Sequence, residues 1–239
     1  MTSPSLVPVP VDGGSLPADL HLPAAGRGPG IVLFQEIFGV TPYVTDRARD
    51  LAGLGYAVLV PHVYWRQGDP VIDGEDALPR ALAAMGRVDW SEAVTDGTAA
   101  LAALRARPEV DGPVGELGFC FGGGLAFAVA ARAAAAGSAP DFLVSYYGSA
   151  LPDLLDLAPE VRSPSLHHFG LADDYLRPEV VRRIEDAVTG GGADATVLTY
   201  PGAGHAFDNP MPAFHYPEAS ALAWRRTEEF LQTHLPTAS

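Results

Sequence analysis

Apolar residues in this chain come in short bursts whose spacing switches between two periods. Gly30-Ile31-Val32-Leu33-Phe34 is a continuous apolar run, as expected of a strand covered on both faces. Over Thr45 to Leu54 the spacing becomes helical, with Val44, Ala48, Leu51 and Ala52 on one stripe and Gly55 as the stop. Tyr56-Ala57-Val58-Leu59-Val60 is again a strand, ended by Pro61. Asp89 caps the next helix, with Glu92 three residues on, and Trp90, Val94, Leu101 and Leu104 form its apolar face. Val114-Gly115-Glu116-Leu117 reads as a buried strand and residues 123–130 as a helix. Strands follow at 142–146, 165–169 and 195–200, alternating with helices near 178–188 and 217–234. Ahead of them, Val7 to Val11 and Ala18 to Leu22 flank Asp12-Gly13-Gly14 and predict a short edge hairpin. Residues 61–88 are irregular, with one helix between 75 and 85.

Strand and helix therefore alternate. The expected class is α/β, with a mostly parallel central sheet and helices on both faces. No repeat or long linker divides the chain, so residues 1–239 read as one domain. Sites in such sheets lie beyond the carboxyl ends of the strands.

Charge narrows the partners. A net charge of −14 argues against nucleic acid or an anionic membrane. The N-terminal run Met1 to Pro8 has neither a basic stretch nor an apolar core, and no apolar stretch reaches bilayer length. A cytoplasmic protein is the expectation, as a monomer or small homo-oligomer. One cysteine excludes an internal disulfide, and no Cys/His zinc spacing is present, so no metal is expected.

That cysteine, Cys120, sits in Gly118-Phe119-Cys120-Phe121-Gly122, between the strand ending at Leu117 and the helix beginning at Gly123. A sharp strand-to-helix turn needs small residues on both sides and presents the residue at its tip above a helix N-terminus. The pattern is that of a nucleophile elbow, with sulfur in place of the usual hydroxyl. In hydrolases of this architecture the acid and then the base follow the nucleophile. Two strand ends supply them in that order. Phe169-Gly170-Leu171-Ala172-Asp173-Asp174 offers two acids, and Gly202-Ala203-Gly204-His205-Ala206-Phe207 offers a histidine in a loop of small residues. An imidazole beside the thiol raises its thiolate fraction, and the acid orients the imidazole. Glu36 ends the apolar strand at 30–34, where the loop passes beside the elbow; an acid there is placed to hold the thiol in the resting enzyme. The backbone N–H groups of Phe121 and Ile37 are the expected oxyanion donors.

Taken together, Gln35-Glu36-Ile37-Phe38-Gly39, Gly118-Phe119-Cys120-Phe121-Gly122-Gly123, Tyr146-Tyr147-Gly148, Phe169-Gly170-x-x-Asp173 and Gly202-Ala203-Gly204-His205-Ala206-Phe207 resemble the dienelactone hydrolase family of the α/β-hydrolase fold. The resemblance implies Cys120 as nucleophile, Asp173 as acid, His205 as base, and Glu36 as the residue coupling substrate binding to thiol activation. It implies opening of an enol-lactone or ester through an acyl-enzyme, without metal or organic cofactor. One position departs from the family pattern. Lactone-cleaving members carry an Arg four residues after the catalytic His to grip a substrate carboxylate; here that position is Asn209. A second such Arg is expected within residues 75–88, where Arg80 and Arg87 are available. Tyr146, Phe207 and Asn209 are further candidates for substrate contact. A general small-ester carboxylesterase and a non-catalytic small-molecule-binding protein are the competing readings.

Of the remaining conspicuous residues, Tyr64 and Trp65 are candidates for a pocket wall, and Trp65, Trp90 and Trp224 otherwise read as core or lid. His167 and His168 are expected on opposite faces of a strand, one packed and one partly covered.

Overall fold

The apolar runs assemble into an eight-stranded sheet. In a computed structural model that describes residues 4–192 and 194–237, the strands are β1 (Ser5–Val11), β2 (Gly14–His21), β3 (Gly28–Phe34), β4 (Ala57–Pro61), β5 (Val110–Phe119), β6 (Leu143–Tyr146), β7 (Ser165–Gly170) and β8 (Ala195–Tyr200). Residues 1–3 of the N-terminal run considered above lie outside the described residues. The spatial order is β1-β2-β4-β3-β5-β6-β7-β8. The hairpin β1–β2 and the β2–β4 pair are antiparallel, and every pair from β4 to β8 is parallel. The central strands β3 and β4 are buried along their whole length, which is why they read as unbroken apolar runs.

Among the described residues six α-helices accompany the strands: α1 (Pro42–Gly53), α2 (Ala77–Met85), α3 (Trp90–Arg105), α4 (Phe121–Ala135), α5 (Pro178–Thr189) and, after the last strand, α6 (Pro217–His234). Helix α1 starts three residues earlier than its apolar stripe indicated. Thr41 caps it, its Oγ1 accepting from the Val44 N–H, and Pro42 occupies the first turn, where its fixed φ fits the helix. Asp89 caps α3 through the N–H of Glu92, as expected.

Consecutive residues of β7 show that both faces of the sheet are covered. The His167 ring lies 6.2 Å from Phe127 of α4, whereas His168 Nε2 lies 3.0 Å from Thr227 Oγ1 of α6. Neighbouring side chains on a strand point to opposite faces, so α4 and α6 flank the sheet on opposite sides. Both imidazoles are fully buried, which corrects the expectation that one is only partly covered. Helices α4 and α6 cover the two faces at β7, so neither histidine meets water. Burial pushes the His167 pKa down to about 4 and that of His168 well below its ordinary value, and both rings are neutral packing elements.

Helix α4 is apolar almost all round and buried from Phe121 to Ala131, the pattern of a helix seated centrally against a sheet. Its glycines allow the approach. A Cβ on Gly122 would stand 2.4 Å from the Gln35 carbonyl oxygen, and one on Gly118 would stand 2.0 Å from that of Gly122.

Candidate active site

The carboxyl ends of β3, β5, β7 and β8 converge on one spot. Cys120 follows β5 directly and serves as the N-cap of α4 with φ 53° and ψ −116°. A non-glycine residue there is strained, and the surrounding backbone holds it: Cys120 N–H donates to Tyr146 O, and Cys120 O accepts from Gly123 and Ser149 N–H. Two further non-glycine residues beside the site, Tyr147 (φ 38°) and Ala206 (φ 56°), have left-handed backbones.

His205 Nε2 lies 3.1 Å from Cys120 Sγ, and His205 Nδ1 lies 2.7 Å from Asp173 Oδ2. Asp173 is buried; its other oxygen accepts from the N–H groups of Tyr175 (2.7 Å) and Leu176 (3.0 Å). Asp174 is exposed and is not among the partners of His205. Burial alone would lower the His205 pKa. Its hydrogen bonds to Asp173 and Cys120, with the charges behind them, outweigh burial and push it up to about 10. Burial likewise works against the Asp173 carboxylate, yet its bonds to His205, Leu176 and Tyr175 hold its pKa below the ordinary value. The chain Asp173–His205–Cys120 thus favours a proton on the imidazole beside sulfur, the arrangement a thiolate nucleophile requires.

Phe121 follows Cys120 directly, and Ile37 lines the same cavity as the thiol. The Phe121 N–H belongs to the first turn of α4 and has no partner within the helix. The Ile37 N–H lies in the turn after β3, and among the described backbone hydrogen bonds it has no acceptor. Tyr64 steadies that turn by donating to Ile37 O at 2.8 Å.

Glu36 is fully buried between elements that are distant in sequence. Its Oε2 accepts from Asn209 Nδ2 at 2.6 Å, and its Oε1 lies 3.5 Å from the Tyr147 hydroxyl. Burial dominates and pushes its pKa up to about 7, opposed by the Asn209 bond and the nearby His205 charge. No hydrogen bond joins Glu36 to Cys120 among the described residues, so the carboxyl does not hold the thiol in this arrangement; His205 does.

The cavity above these groups measures about 180 Å³. Glu36, Cys120, Ser149 and His205 supply its polar wall, and Ile37, Phe38, Leu78, Leu82, Met85 and Phe214 supply most of the rest. The remaining sequence candidates lie elsewhere. Arg80 is exposed and donates to the carbonyls of Val71 and Asp73; Arg87 donates to Gln67 Oε1 and borders a separate cleft. Neither lines the cavity: Arg80 is on the opposite side of α2, and Arg87 lies past the end of that helix. Tyr146 is buried behind the site, its hydroxyl 2.6 Å from Thr227 Oγ1. Phe207 is packed between Tyr147 and Tyr200. Asn209 reaches the site only through Glu36. Tyr64 lies under the Ile37 turn, and Trp65 bonds to Asp96 Oδ2 near the edge hairpin, so neither forms a cavity wall. Trp90 packs edge-on against Phe121, and Trp224 lies under the Arg47 guanidinium.

Sequence reasoning missed a buried network next to Glu36. The Tyr147 hydroxyl lies 3.3 Å from that of Tyr43, which donates to Asp208 Oδ2 at 2.6 Å. Arg47 grips Asp208 with Nε at 2.9 Å and Nη2 at 2.7 Å, and Ser220 adds a 2.6 Å bond. Tyr43 and Arg47 are four apart on α1 and share a face, a legible signal. Their partner, 161 residues after Arg47, is not. Ser149, 3.8 Å from Cys120 Sγ, was also missed; it follows the Tyr146-Tyr147-Gly148 stretch and is close in space only because its N–H bonds to Cys120 O.

A carboxymethylenebutenolidase of a Pseudomonas species is 37% identical over 227 residues, covering 94% of this chain and 92% of that protein. Carboxymethylenebutenolidase 1 of Cupriavidus pinatubonensis is 34% identical over 223 residues, covering 92% of each. Among solved structures, a dienelactone hydrolase-like promiscuous phosphotriesterase from metagenomic libraries superposes with a TM-score of 0.79 at 27% identity, over 98% of this chain and all (100%) of that one. The dienelactone hydrolase of Anabaena variabilis shares the fold, with a TM-score of 0.70 at 20% identity over 98% of this chain and 100% of that one. Residues 16–235 match the dienelactone hydrolase family, and the chain belongs to it.

Proposed function

We propose that this enzyme, a lactone or ester hydrolase by its family, works through an acyl-enzyme on Cys120. The observation that carries the reading is the chain of contacts from Asp173 Oδ2 through His205 to Cys120 Sγ, 2.7 Å and then 3.1 Å.

The sulfur, its proton transferred to His205 Nε2, attacks the carbonyl carbon. The carbonyl π bond opens, and the resulting oxyanion takes the N–H groups of Phe121 and Ile37. One such donor is worth about 3 kcal/mol of barrier. When the intermediate collapses, the carbon–oxygen bond of the lactone or ester breaks and the imidazolium protonates the leaving oxygen as required. An enol leaving group departs readily and needs least help. Water, deprotonated by His205, then attacks the thioester, and the acid product leaves as the thiol is restored. Asp173 keeps the imidazole in orientation throughout and stabilises its charged form.

The reading takes residues 1–239 as one domain and the protein as a cytoplasmic monomer or small homo-oligomer. A single cysteine leaves no internal disulfide to form, which accords with a reducing compartment such as the cytoplasm. Among the described residues no helix is long and apolar enough to cross a membrane.

The test is hydrolysis of an aryl acetate before and after iodoacetamide, with the alkylated residue located by mass spectrometry. Alkylation of Cys120 should abolish turnover. Full activity in Cys120→Ala would overturn the mechanism.

A further inference from the structure

The cavity over Cys120 is walled mostly by apolar side chains, and no arginine lines it. Helix α2 is responsible. Leu78, Leu82 and Met85, at i, i+4 and i+7, form one helical stripe, and all three line the cavity. Arg80 stands two residues beyond Leu78, on the other side of the helix, with its guanidinium bonded to two backbone carbonyls. Arg87 is bonded to Gln67. All fifteen cationic side chains of the chain are arginines, and none lines this cavity. Arg47, half-buried beside the Tyr43–Tyr147 network, is committed to Asp208.

The acid in the lining is Glu36, buried, with a neutral amide as its closest partner. An anionic substrate group would lose its water there without an arginine to pair it. Apolar groups meet the opposite situation. Leu78 (41%), Leu82 (47%) and Tyr175 (71%) are among the exposed large hydrophobics of the fold, and all three lie on this rim. Clustered exposed apolar side chains around a cavity mark a binding surface. The size is also informative, since a dry cavity of about 150 Å³ takes one benzene-sized group.

Resting on the reading of Cys120 as nucleophile, we propose that the substrates are uncharged lactones or esters whose substituent is apolar and about the size of one ring, seated against Leu78, Leu82 and Met85. A carboxylate-bearing lactone, the class to which the name carboxymethylenebutenolidase of the relatives refers, is disfavoured.

The experiment compares two butenolides of one skeleton, one with an exocyclic carboxymethylidene group and one with a propylidene group in its place. Each kcat/KM is divided by the rate of hydroxide-catalysed opening. The neutral lactone should be favoured by about 10²-fold, the size of discrimination a shaped apolar pocket can reach. Leu82→Arg should narrow that ratio by about tenfold, through a lower KM for the anionic lactone. Leu78→Lys, at the more superficial edge, serves the same purpose if Leu82→Arg does not fold. Equal or better opening of the carboxylate lactone by the unmodified enzyme overturns the proposal. Cys120→Ala separates the two readings: loss of all turnover in that variant, combined with no neutral preference in the parent, sinks the substrate class and leaves the nucleophile standing. Turnover retained in Cys120→Ala sinks the nucleophile.

Discussion

Asn209 Nδ2 sits 2.6 Å from Glu36 Oε2, and both side chains are buried. The amide gives Glu36 a hydrogen bond without a charge. The remaining partner, Tyr147, is a longer 3.5 Å contact. Removing the amide should therefore raise the Glu36 pKa beyond about 7, because burial would then be opposed by little except the His205 charge. In Asn209→Leu, infrared or carbon-13 detection of the Glu36 carboxyl should show its titration displaced upward relative to the parent. An unchanged titration would mean that Asn209 does not govern this group.

The same burial makes Glu36 a stability liability. Its pKa is raised from 4.5 to about 7, so the folded state binds a proton that the unfolded state has released. Stability falls as pH rises from about 4.5 to 7, and the full cost is present above 7. Glu36→Gln keeps the shape and removes the charge. It should stabilise the fold by about 3 kcal/mol at pH 8 and by almost nothing at pH 4, as read from urea unfolding at the two pH values. A gain independent of pH would show that charge is not the cause.

The sheet and the position of Cys120 are legible in the sequence because both rest on local patterns. Runs such as 30–34 and 56–60 are apolar throughout since nothing but core touches them, and the elbow needs Gly118 and Gly122 within two residues of the cysteine. Chain order then directs attention to Asp173 and His205. What sequence could not convey is where side chains turn once the backbone is placed. Arg80 and Leu78 are two residues apart, yet one reaches backbone carbonyls and the other the cavity, a difference set by the rotation of α2 against the site. Asp208 is invisible for another reason: its carboxylate is matched by Tyr43, Arg47 and Ser220, and two of those lie on a helix far upstream. A buried acid of this kind has no local signature.

Asp208 also offers a measurable consequence. Four hydrogen bonds converge on a carboxylate with no exposed side-chain surface, and Arg47, the cation that balances it, is itself only 16% exposed. Breaking a buried pair by removing one partner's charge typically costs about 3–5 kcal/mol, since the other charge is left uncompensated. Asp208→Asn should lose stability on that scale in denaturant unfolding. Replacing Arg47 and Asp208 together by Met and Leu should cost less than Asp208→Asn alone. If the double variant is the worse of the two, the pair itself is the stabilising element.

Asp173 and its neighbour Asp174 provide the sharpest comparison within the site. Asp173 Oδ2 meets His205 Nδ1 at 2.7 Å, while Asp174 is exposed. Asp173→Asn presents an amide where the imidazole N–H expects an acceptor, and it removes the charge that keeps His205 protonated. Loss of an orienting acid of this type costs up to about 10⁴-fold in kcat, so Asp173→Asn should fall by at least ~10²-fold and Asp174→Asn by less than about twofold. Stability supplies an independent readout with a defined sign. The Asp173 pKa is depressed in the fold, so its contribution is present above the ordinary value of 3.8 and lost as pH falls through the lower folded value. The His205 pKa is raised, so its contribution is complete below 6.5 and lost as pH rises through about 10. Asp173→Asn removes the first and the Asp173 part of the second, and the parent's advantage over the variant should peak between about pH 4 and 6.5 and decline toward pH 10. Aryl-ester kinetics and thermal unfolding across that range check the two effects separately; a larger kinetic loss in Asp174→Asn would assign the orienting role to the other carboxylate.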